Sequence, residues 1–343
     1  MTSSTAIDAA FDTKAERFNA LSSWLGSVLN ISQVTLIPVA GDASFRRYFR
    51  INHGQQSFIV MDAPPERENV ESFVEVGKLF AQAGIRVPKV FECDLKRGFL
   101  LLEDFGDQAY FSVLNSNNAD YFYHQAMSAL EQIQCRIDAS NTLLPAYDQA
   151  LLKRELELFR EWFLASWLAL EIPGRLWRRV CQMLVQNALE QPQVCVHRDF
   201  HSRNLMVLHD DTPGVLDFQD AVIGPITYDL VSLLKDCYIE WPQHRVDAWR
   251  ESYRQQLLDQ GRVIDARQWQ SWFDRMGIQR HLKACGIFVR LWLRDQKPQY
   301  LQDIPRVLKM LLASCRRDPE FEDFTHFLSQ EVMTAVNRRR LSP

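Results

Sequence analysis

Three short, largely apolar runs separated by polar loops form the most informative stretch of the chain. The runs are Val194–Val196, Leu205–Leu208 and Val215–Gln219. Short apolar runs with polar ends are typical of β-strands, and Pro213-Gly214 interrupts the chain between the second run and the third. The pattern therefore predicts a strand, a loop, a second strand, a polar turn over 209–214 and a returning third strand that forms a hairpin with the second.

The first hundred residues change repeatedly between helical and strand-like spacing of apolar positions. The spacing predicts an amphipathic helix at residues 11–30 and a second helix at about 66–83, which Gly84 ends. The strands predicted between and after these helices are 34–39, 45–51, 57–61, 89–93 and 99–103.

From about residue 107 onward the spacing is mainly helical. Apolar side chains recur every three or four positions, which is typical of helices that bury one face. The predicted helices are 107–114, 119–137, 150–169, 174–189, 230–238, 249–258, 267–275 and 281–295.

Composition excludes several classes of protein. The chain has 343 residues, of which 47% are hydrophobic and 24% charged, as in ordinary globular proteins that bury a core. This length suits one large domain or two medium ones. The net charge of −4 argues against nucleic acid as the main partner, since proteins that bind it usually carry a basic patch.

Cysteine usage and hydropathy indicate a protein of the reducing cytosol. The seven cysteines are scattered with no C-x-x-C pair, which favours free thiols over a disulfide framework or a zinc site. The N-terminus carries Asp8 and Asp12 and lacks the apolar segment of a signal peptide. The longest strongly apolar run, Trp162–Leu170, is about half the roughly 20 residues that a membrane span needs, so we expect a cytoplasmic protein that does not enter a membrane.

Three side chains in the first stretch have the spacing that phosphoryl transfer requires. Asp199 and Asn204 lie five residues apart on one loop, and Asp217 ends the returning strand beside them. In phosphoryl transfer one carboxylate orients the attacking hydroxyl and accepts its proton, while an amide oxygen and a second carboxylate hold Mg²⁺. The spacing matches the kinase loop H-R-D-x-x-x-x-N with a following Asp-Phe pair. The alternative is that Asp199 caps a turn and Asp217 merely ends a strand.

These residues also carry a resemblance to a known family. The runs HRDFHSRNLM at 197–206, GVLDFQDA at 214–221 and GPITYDL at 224–230 resemble the aminoglycoside phosphotransferase-type kinases. Within that family they resemble the branch that phosphorylates N-acetylmuramate and N-acetylglucosamine at C1 during cell-wall recycling. The resemblance implies ATP and Mg²⁺ as cofactors and a small-molecule sugar as acceptor. It implies an α+β, bilobal protein-kinase-like fold, with a small antiparallel-sheet N-lobe at 1–104 and a larger, mainly helical C-lobe at 105–343.

In such a fold the turn Ala40–Ser44 covers the nucleotide phosphates. It has one glycine rather than three, but small residues still let backbone N–H groups approach phosphate oxygens. The candidates for nucleotide contact are Ser44, which offers a hydroxyl, and the three residues that follow it, Phe45, Arg46 and Arg47. The alternative is a plain hairpin turn with solvated arginines.

The third strand lacks a residue that kinases use. Kinases place a lysine there, which contacts the nucleotide phosphates and pairs with a helix glutamate. Here the strand reads FIVMD at 58–62. We expect Arg46 or Arg47, on the neighbouring strand, to supply the missing cation. Glu71 and Glu75 are the candidates for the helix glutamate.

The apolar strand Leu100–Leu102 runs into the segment Glu103–Gly106, which is acidic and ends in glycine. By resemblance this segment is the hinge whose backbone groups contact the adenine edge. Because backbone groups make this contact, the side chains give little information about nucleotide binding. Glu103 and Phe105, which lie in this segment, are the adenine-contact candidates.

The resemblance also places an acceptor site around the catalytic loop. The candidates for substrate contact are His201, Arg203, Gln219 and Asp220, with Lys235, Asp236 and Trp241 at the rim. His197 and Asp229 are expected to bond the loop backbone rather than to take part in the chemistry. N-acetylmuramate carries a lactyl carboxylate that an arginine would bind well. The candidates for that contact are Arg175, Arg203 and Arg294.

Three other functions are compatible with these residues. The same chemistry could act on another alcohol, such as an aminoglycoside, choline or homoserine. A protein kinase would need an activation segment ending in Ala-Pro-Glu, which the sequence lacks. A nucleotide-binding pseudokinase would explain the missing strand lysine, but it has no need of Asp199, Asn204 and Asp217 together. The sequence leaves the oligomeric state open.

Overall fold

The computed structural model describes residues 14–39, 45–140, 142–209 and 212–340. The chain forms two compact units. The first contains residues up to 75 and residues 88–104, and the second contains residues 76–87 and 105 onward. The division expected from the sequence, 1–104 and 105–343, stays a prediction.

The first unit is a five-stranded antiparallel sheet with one helix packed on it. Helix α1 is Lys14–Leu29, and the strands are β1 (Ile37–Val39), β2 (Arg47–His53), β3 (Gln56–Asp62), β4 (Val90–Asp94) and β5 (Phe99–Glu103). Neighbouring strands follow the order β1-β2-β3-β5-β4. The helix, over its described part, and all five strands confirm the predictions, although the first strand is shorter than expected.

The core of the first unit lies between α1 and the sheet. Alternate residues of a strand point to the same face of a sheet, and here the apolar ones meet the apolar stripe of α1. The buried set is Leu21, Trp24 and Leu25 of the helix with Phe49, Ile51, Phe58, Val60, Phe99 and Leu101 of the sheet. Each such side chain contributes about 1.5–3 kcal/mol when fully buried, so this apolar contact holds the helix on the sheet.

The second unit is mainly helical. Helix α2, Val70–Gln82, begins among the residues of the first unit and ends among those of the second. The helices that follow are α3 (Tyr110–Val113), α4 (Ala119–Arg136), α5 (Gln149–Leu158), α6 (Gly174–Leu189), α7 (Tyr228–Leu234), α8 (Gln243–Asp259), α9 (Ala266–Leu293), α10 (Ile304–Arg316), α11 (Glu322–Phe327) and α12 (Met333–Arg340). A π-helical segment, Phe159–Leu168, continues α5. Within the described ranges, no helix has the length and apolar character needed to cross a membrane.

Two small antiparallel sheets frame the loop that carries Asp199. Strand β6 (Gln193–Val196) pairs with β9 (Val222–Pro225), and β7 (Leu205–Val207) pairs with β8 (Pro213–Val215). The predicted hairpin is thereby confirmed as the β7–β8 pair. Strand β9 was not predicted, because its apolar run is too short to be recognised by length. Strand β8 ends before Asp217, which therefore follows the returning strand instead of ending it.

Glycines explain two places where the reading of the pattern was wrong. Pro213 and Gly214, the last two residues of the predicted turn, are instead paired strand, and a Cβ on Gly214 would lie 2.6 Å from the ring of Phe105. The helices predicted at 267–275 and 281–295 form one continuous helix, α9. A Cβ on Gly277 would lie 2.9 Å from Nζ of Lys235. At both positions glycine makes room for a neighbouring side chain and does not break the element.

Two predicted helices are shorter in the structure. The helix expected at 107–114 is limited to α3, and the helix expected at 230–238 is α7, which ends at Leu234. Lys235 leaves the helical conformation, with φ −116° and ψ 44°. This early end changes the direction of the residues that follow, and one of them, Asp236, becomes part of the site described next.

Candidate active site

Asp229, at the start of α7, fixes the backbone of the loop that follows β6. Its carboxylate accepts hydrogen bonds from the N–H groups of His197, at 2.6 Å, and Arg198, at 3.0 Å. Burial raises the pKa of Asp229 to about 7. Arg198 has a φ of 77°, a conformation that is costly for a non-glycine residue and persists only where the surroundings impose it. The predicted supporting role of Asp229 is confirmed.

The ring of His197 joins the two sides of the loop. Its Nε2 lies 2.9 Å from the carbonyl oxygen of Leu216, and its Nδ1 accepts a hydrogen bond from the N–H of Asp199 at 3.2 Å. Burial lowers the pKa of His197 to about 4, so the ring is neutral at pH 7, with Nε2–H as donor and Nδ1 as acceptor. The predicted contact of His197 with the loop backbone is confirmed.

Hydrogen bonds bring Asn204 and Asp217 to Asp199. The side-chain Nδ2 of Asn204 donates to the carbonyl oxygen of Asp199 at 3.0 Å, and Leu216 N donates to the carbonyl oxygen of Asn204 at 2.9 Å. Asp217, the next residue, has a φ of 61°, and its Oδ1 accepts a hydrogen bond from Gln219 Nε2 at 2.7 Å. The three residues singled out in the sequence therefore meet in one place, and their catalytic and metal-binding roles stay predictions.

A second buried carboxylate holds the middle of the loop. Asp236 accepts hydrogen bonds from the N–H of Ser202, at 3.0 Å, and from its hydroxyl. It also accepts one from Tyr238 N at 2.9 Å. Asp236 is 1% exposed, so its expected position at the rim of the acceptor site is wrong. Sequence reading missed the contact because it extended α7 past Leu234.

Asp199 lines a small cavity of about 90 Å³ in the second unit. The same loop adds His201 to the lining, and the rest comes from α9 and from the segment after α7, through Cys237, Tyr238, Arg280, Lys283 and Phe288. Burial alone would raise the pKa of Asp199, but the positive charges of Lys283, His201 and Arg280 outweigh it and lower the pKa to about 2. Asp199 is therefore an ionised carboxylate at pH 7.

Two cations of α9 lie beside Asp199, and sequence reading missed both. Arg280 donates through Nη1 to the carbonyl oxygen of Arg198 at 2.8 Å. Lys283 Nζ lies 2.9 Å from Oε1 of Glu155 and donates to the hydroxyl of Tyr228 at 3.0 Å. Residues three apart share one face of a helix, so the spacing of Arg280 and Lys283 could have indicated two cations on one face. The predicted helices left out 276–280, so Arg280 was not assigned to the same helix as Lys283.

Two of the four predicted substrate contacts differ in their surroundings. His201 lines the cavity beside Asp199. Arg203 lies against aromatic rings instead, with its guanidinium carbon 3.5 Å from the ring centroid of Tyr238 and 4.9 Å from that of Phe111. The structure therefore places the imidazole, and not this guanidinium, on the cavity side of the loop.

The other predicted acceptor contacts lie elsewhere. Gln219 is buried and binds Asp217, and Asp220 is exposed. The remaining arginines proposed for a substrate carboxylate, at 175 and 294, are both exposed, and Arg294 pairs with its neighbour Asp295 at 2.8 Å. None of these side chains lines the cavity at Asp199.

In the first unit, two candidates for nucleotide contact, Phe45 and Arg46, bind the carboxylate of Glu68, just before α2. Ser44 lies outside the described residues. Phe45 is 56% exposed, and its N–H donates to Oε1 of Glu68 at 3.0 Å. Arg46 Nη2 lies 2.9 Å from the other oxygen of the same carboxylate, and both side chains are about nine-tenths buried. The acid paired with Arg46 is thus Glu68, and not Glu71 or Glu75, the two candidates named from the sequence.

Arg47 is bound to a different carboxylate. Its Nε donates to Oδ2 of Asp62 at 2.8 Å, while Nε of Arg17 donates to Oδ1 of the same side chain at 2.6 Å. Asp62 is fully buried. Arg47 therefore joins α1, β2 and β3 through one carboxylate, which is a structural contact.

The two adenine-contact candidates have partners of their own. Glu103 accepts a hydrogen bond from Lys89 N at 3.2 Å, within the first unit. Phe105, in the second unit, has the guanidinium carbon of Arg86 at 5.2 Å from its ring centroid and packs against Gly214. Their contact with a nucleotide stays a prediction.

Comparison with known proteins assigns the class. The sequence profile of the phosphotransferase enzyme family matches residues 35–270, more than half of the chain, and the chain belongs to this family. The loop, the hairpin and the carboxylates described above lie inside the matched range. The predicted enzyme class, a phosphotransferase, is confirmed.

Particular relatives are similar over nearly the whole chain. N-acetylmuramate/N-acetylglucosamine kinase of Pseudomonas aeruginosa is 44% identical over 328 residues, which cover 91% of this chain and 96% of the relative. The protein of the same name from Neisseria meningitidis is 39% identical over 311 residues, covering 88% and 91%. The resemblance noted in the sequence is confirmed.

A solved structure supports the fold independently of sequence. Ethanolamine kinase of Plasmodium vivax aligns with a TM-score of 0.65 at 13% identity and covers 93% of each chain. A likeness at this identity shows the fold alone. The predicted α+β, bilobal protein-kinase-like fold is thereby confirmed.

Proposed function

We propose that the protein is an ATP-dependent kinase that phosphorylates the anomeric hydroxyl of N-acetylmuramate, N-acetylglucosamine or both. The observation that carries the proposal is the pair of hydrogen bonds that joins Asn204 to Asp199 and to Leu216, since it gathers one carboxylate and two oxygen ligands. The names of the relatives support the choice of sugar. A role in cell-wall recycling and a cytoplasmic location, where ATP is supplied, belong to the same proposal.

Asp199 orients the C1 hydroxyl and accepts its proton. The neighbouring cations keep the pKa of Asp199 at about 2, so the carboxylate is a weak base that takes the proton late. An anomeric hydroxyl is somewhat more acidic than an ordinary alcohol, which suits such a base. The bond from the sugar oxygen to the γ-phosphorus forms as the bond to the leaving oxygen of ADP breaks, and in-line positioning supplies most of the rate enhancement.

Asn204 and Asp217 fit a magnesium ion that is shared with the nucleotide. Nδ2 of Asn204 donates to Asp199, so Oδ1 is the atom of this amide that remains for a cation. Mg²⁺ prefers oxygen ligands and usually takes one or two from the protein, with phosphate and water completing its shell. Across the described ranges, no three or more His, Cys, Asp or Glu side chains are grouped to hold a metal. When bound, Mg²⁺ would neutralise charge on the phosphates.

Arg46 is the candidate that best replaces the missing strand lysine. It is paired with Glu68, as the kinase lysine is paired with a helix glutamate, and the N–H of Phe45 binds the same carboxylate. Arg47 shares Asp62 with Arg17 and is thereby neutralised. We assign Ser44, Phe45 and Arg46 to the phosphates, and Glu103 and Phe105 to the adenine.

On the acceptor side, His201 is the predicted residue whose position best supports contact with the sugar, because it lines the cavity at Asp199. Arg203, Gln219 and Asp220 remain candidates for shaping the pocket wall. The orientation of Gln219 toward Asp217 favours an indirect role for this residue.

A coupled ADP-release assay tests the proposal. The acceptor panel is N-acetylmuramate, N-acetylglucosamine, glucosamine, kanamycin, choline and homoserine, each with Mg²⁺-ATP. We expect turnover with the N-acetylated sugars, loss of it in Asp199→Asn, and no loss in Asp259→Asn, which changes an exposed carboxylate at the end of α8. Turnover only with kanamycin, choline or homoserine would keep the chemistry but contradict the sugar assignment.

A further inference from the structure

The cations around Asp199 outnumber the carboxylates that neutralise them. Arg198 and Lys283 both bind Glu155, which also accepts a hydrogen bond from the hydroxyl of Tyr147. One buried carboxylate therefore serves two cations. Arg280 adds a third positive charge to the same cluster, and Asp199 is the carboxylate that remains to balance it.

Arg280 has no ion pair with any carboxylate in the described part of the chain. It contacts the carbonyl oxygen of Arg198 and Tyr228, whose ring centroid lies 5.1 Å from the guanidinium carbon and whose hydroxyl shares a hydrogen bond with it. The residue is 8% exposed. A guanidinium carries five N–H donors and does not lose its charge in proteins. Asp199 balances this charge without a direct ion pair, so the donors of Arg280 that face no carboxylate are available to an anionic ligand.

The position of Arg280 decides which anion fits. It lines the cavity that includes Asp199 and His201, whereas Asn204 and Asp217 are not part of the lining. The proposed metal and phosphates belong with Asn204 and Asp217, so Arg280 lies on the acceptor side of Asp199. The rest of the lining, including Tyr238 and Phe288, offers apolar surface for a sugar ring and its methyl groups.

We infer that Arg280 binds the carboxylate of an acidic acceptor sugar, the lactyl group of N-acetylmuramate, and that this contact sets the selectivity for the acidic sugar over the neutral one. The inference rests on the proposed function, because it presupposes a sugar whose C1 hydroxyl lies at Asp199. Guanidinium and carboxylate form two parallel hydrogen bonds, which would orient the sugar ring relative to the reacting hydroxyl. Lys283 is less suited to this contact, since it is already paired with Glu155.

The test compares three acceptors in steady-state kinetics: N-acetylmuramate, its carboxylate methyl ester and N-acetylglucosamine. Arg280→Gln should lower kcat/KM for N-acetylmuramate by about 10- to 100-fold, the worth of a charge-assisted contact, mainly through KM. The loss with the ester and with N-acetylglucosamine, which reflects the contact of Arg280 with the loop and its charge near Asp199, should be at least about 5-fold smaller than the loss with N-acetylmuramate. Arg280→Lys, which keeps the charge, should fall between, and it serves if Arg280→Gln does not fold. Arg267→Gln, an exposed arginine at the start of the same helix, should leave all three acceptors unchanged.

The outcomes distinguish a wrong role for Arg280 from a wrong proposed function. Equal losses with all three acceptors would overturn the inference, since Arg280 would then act on the transferred phosphoryl group or on the loop, while the proposed function would stand. A wild-type protein that uses the ester as well as the acid would also overturn it. No turnover of any of the three by the wild-type protein would contradict the proposed function, and the inference with it.

Discussion

Asp62 in the first unit and Asp199 in the second are both carboxylates surrounded by positive charge, yet their surroundings differ. Asp62 is fully buried, and each of its oxygens accepts a hydrogen bond from a different arginine, Arg17 or Arg47. Asp199 forms no ion pair within the described residues, although Lys283 and other cations lower its pKa. It lines a cavity instead.

The difference distinguishes a structural carboxylate from a chemical one. At Asp62, donors on both oxygens of a fully buried carboxylate join three elements and leave the group no access to a substrate. Cations placed at a distance keep the group ionised and leave its oxygens available to orient a hydroxyl. Charge around a carboxylate therefore says little about its role until the direct partners are known.

The largest expected effect is on catalysis at Asp199. Asp199→Asn should lower kcat by about 10³- to 10⁴-fold, because the amide cannot accept the proton of the attacking hydroxyl. Substrate binding should change much less. The measurement is kcat and KM with N-acetylmuramate and Mg²⁺-ATP, with Asp62→Asn as the matched variant. A loss of kcat at Asp62 as large as that at Asp199 would break the distinction between the two carboxylates.

The next effect is on stability at Asp62. Asp62→Asn should lower the free energy of unfolding by about 3 kcal/mol, since it leaves Arg17 and Arg47 buried or half-buried without their counter-charge. Urea unfolding at pH 7 measures this. The kcat of the fraction that remains folded should stay within a few-fold of wild type. A variant as stable as the wild-type protein would show that this ion cluster is dispensable.

The free energy of unfolding should depend on pH through the ionisation of Asp199. Its pKa lies at about 2 in the folded protein, below the ordinary 3.8, so the ionised carboxylate stabilises the fold. This contribution, about 2 kcal/mol, is fully present above pH 3.8 and is lost as the pH falls toward 2. The difference in unfolding free energy between wild type and Asp199→Asn should therefore shrink below about pH 4.5. Denaturant titrations from pH 7 to pH 3 would reveal a constant gap if this assignment is mistaken.

A smaller expected effect is on KM for ATP, which should distinguish Arg46 from its neighbour Arg47. Arg46→Gln should raise KM for ATP by about 10-fold, the worth of one charge-assisted contact, with little change in KM for the sugar. Arg47→Gln, at the next position, should lower the melting temperature and leave KM for ATP nearly unchanged, because Arg47 is committed to Asp62. If the two variants exchanged these effects, Arg47 would be the substitute for the missing lysine.

The part of the site that lies close together in sequence could be predicted, and the part that lies far apart could not. Asp199, Asn204 and Asp217 fall within one short stretch, so their spacing alone indicated that they meet. Arg280 and Lys283 reach the same cavity from α9, and no local spacing relates them to Asp199.

Prediction of the fold was limited in the same way, because local patterns do not show contacts between distant parts of the chain. The alternation of apolar positions predicted the sheet of the first unit and most helices of the second. Pro213-Gly214 was interpreted as a break, and the predicted helices left a gap around Gly277. Each glycine instead makes room for a side chain from a distant part of the chain, Phe105 or Lys235. Packing partners of this kind are set by tertiary structure, so pattern reading alone cannot identify them.

Phosphoryl transfer to an anomeric hydroxyl at Asp199 is the reaction that we propose for this protein. The most direct test is ³¹P nuclear magnetic resonance of the product formed from N-acetylmuramate and Mg²⁺-ATP, with wild-type protein and with Asp199→Asn. We expect a sugar 1-phosphate, with its phosphorus coupled to the anomeric proton, from the wild-type protein and none from the variant at matched time. Phosphate on another hydroxyl, inorganic phosphate alone, or an undiminished 1-phosphate signal from the variant would contradict it.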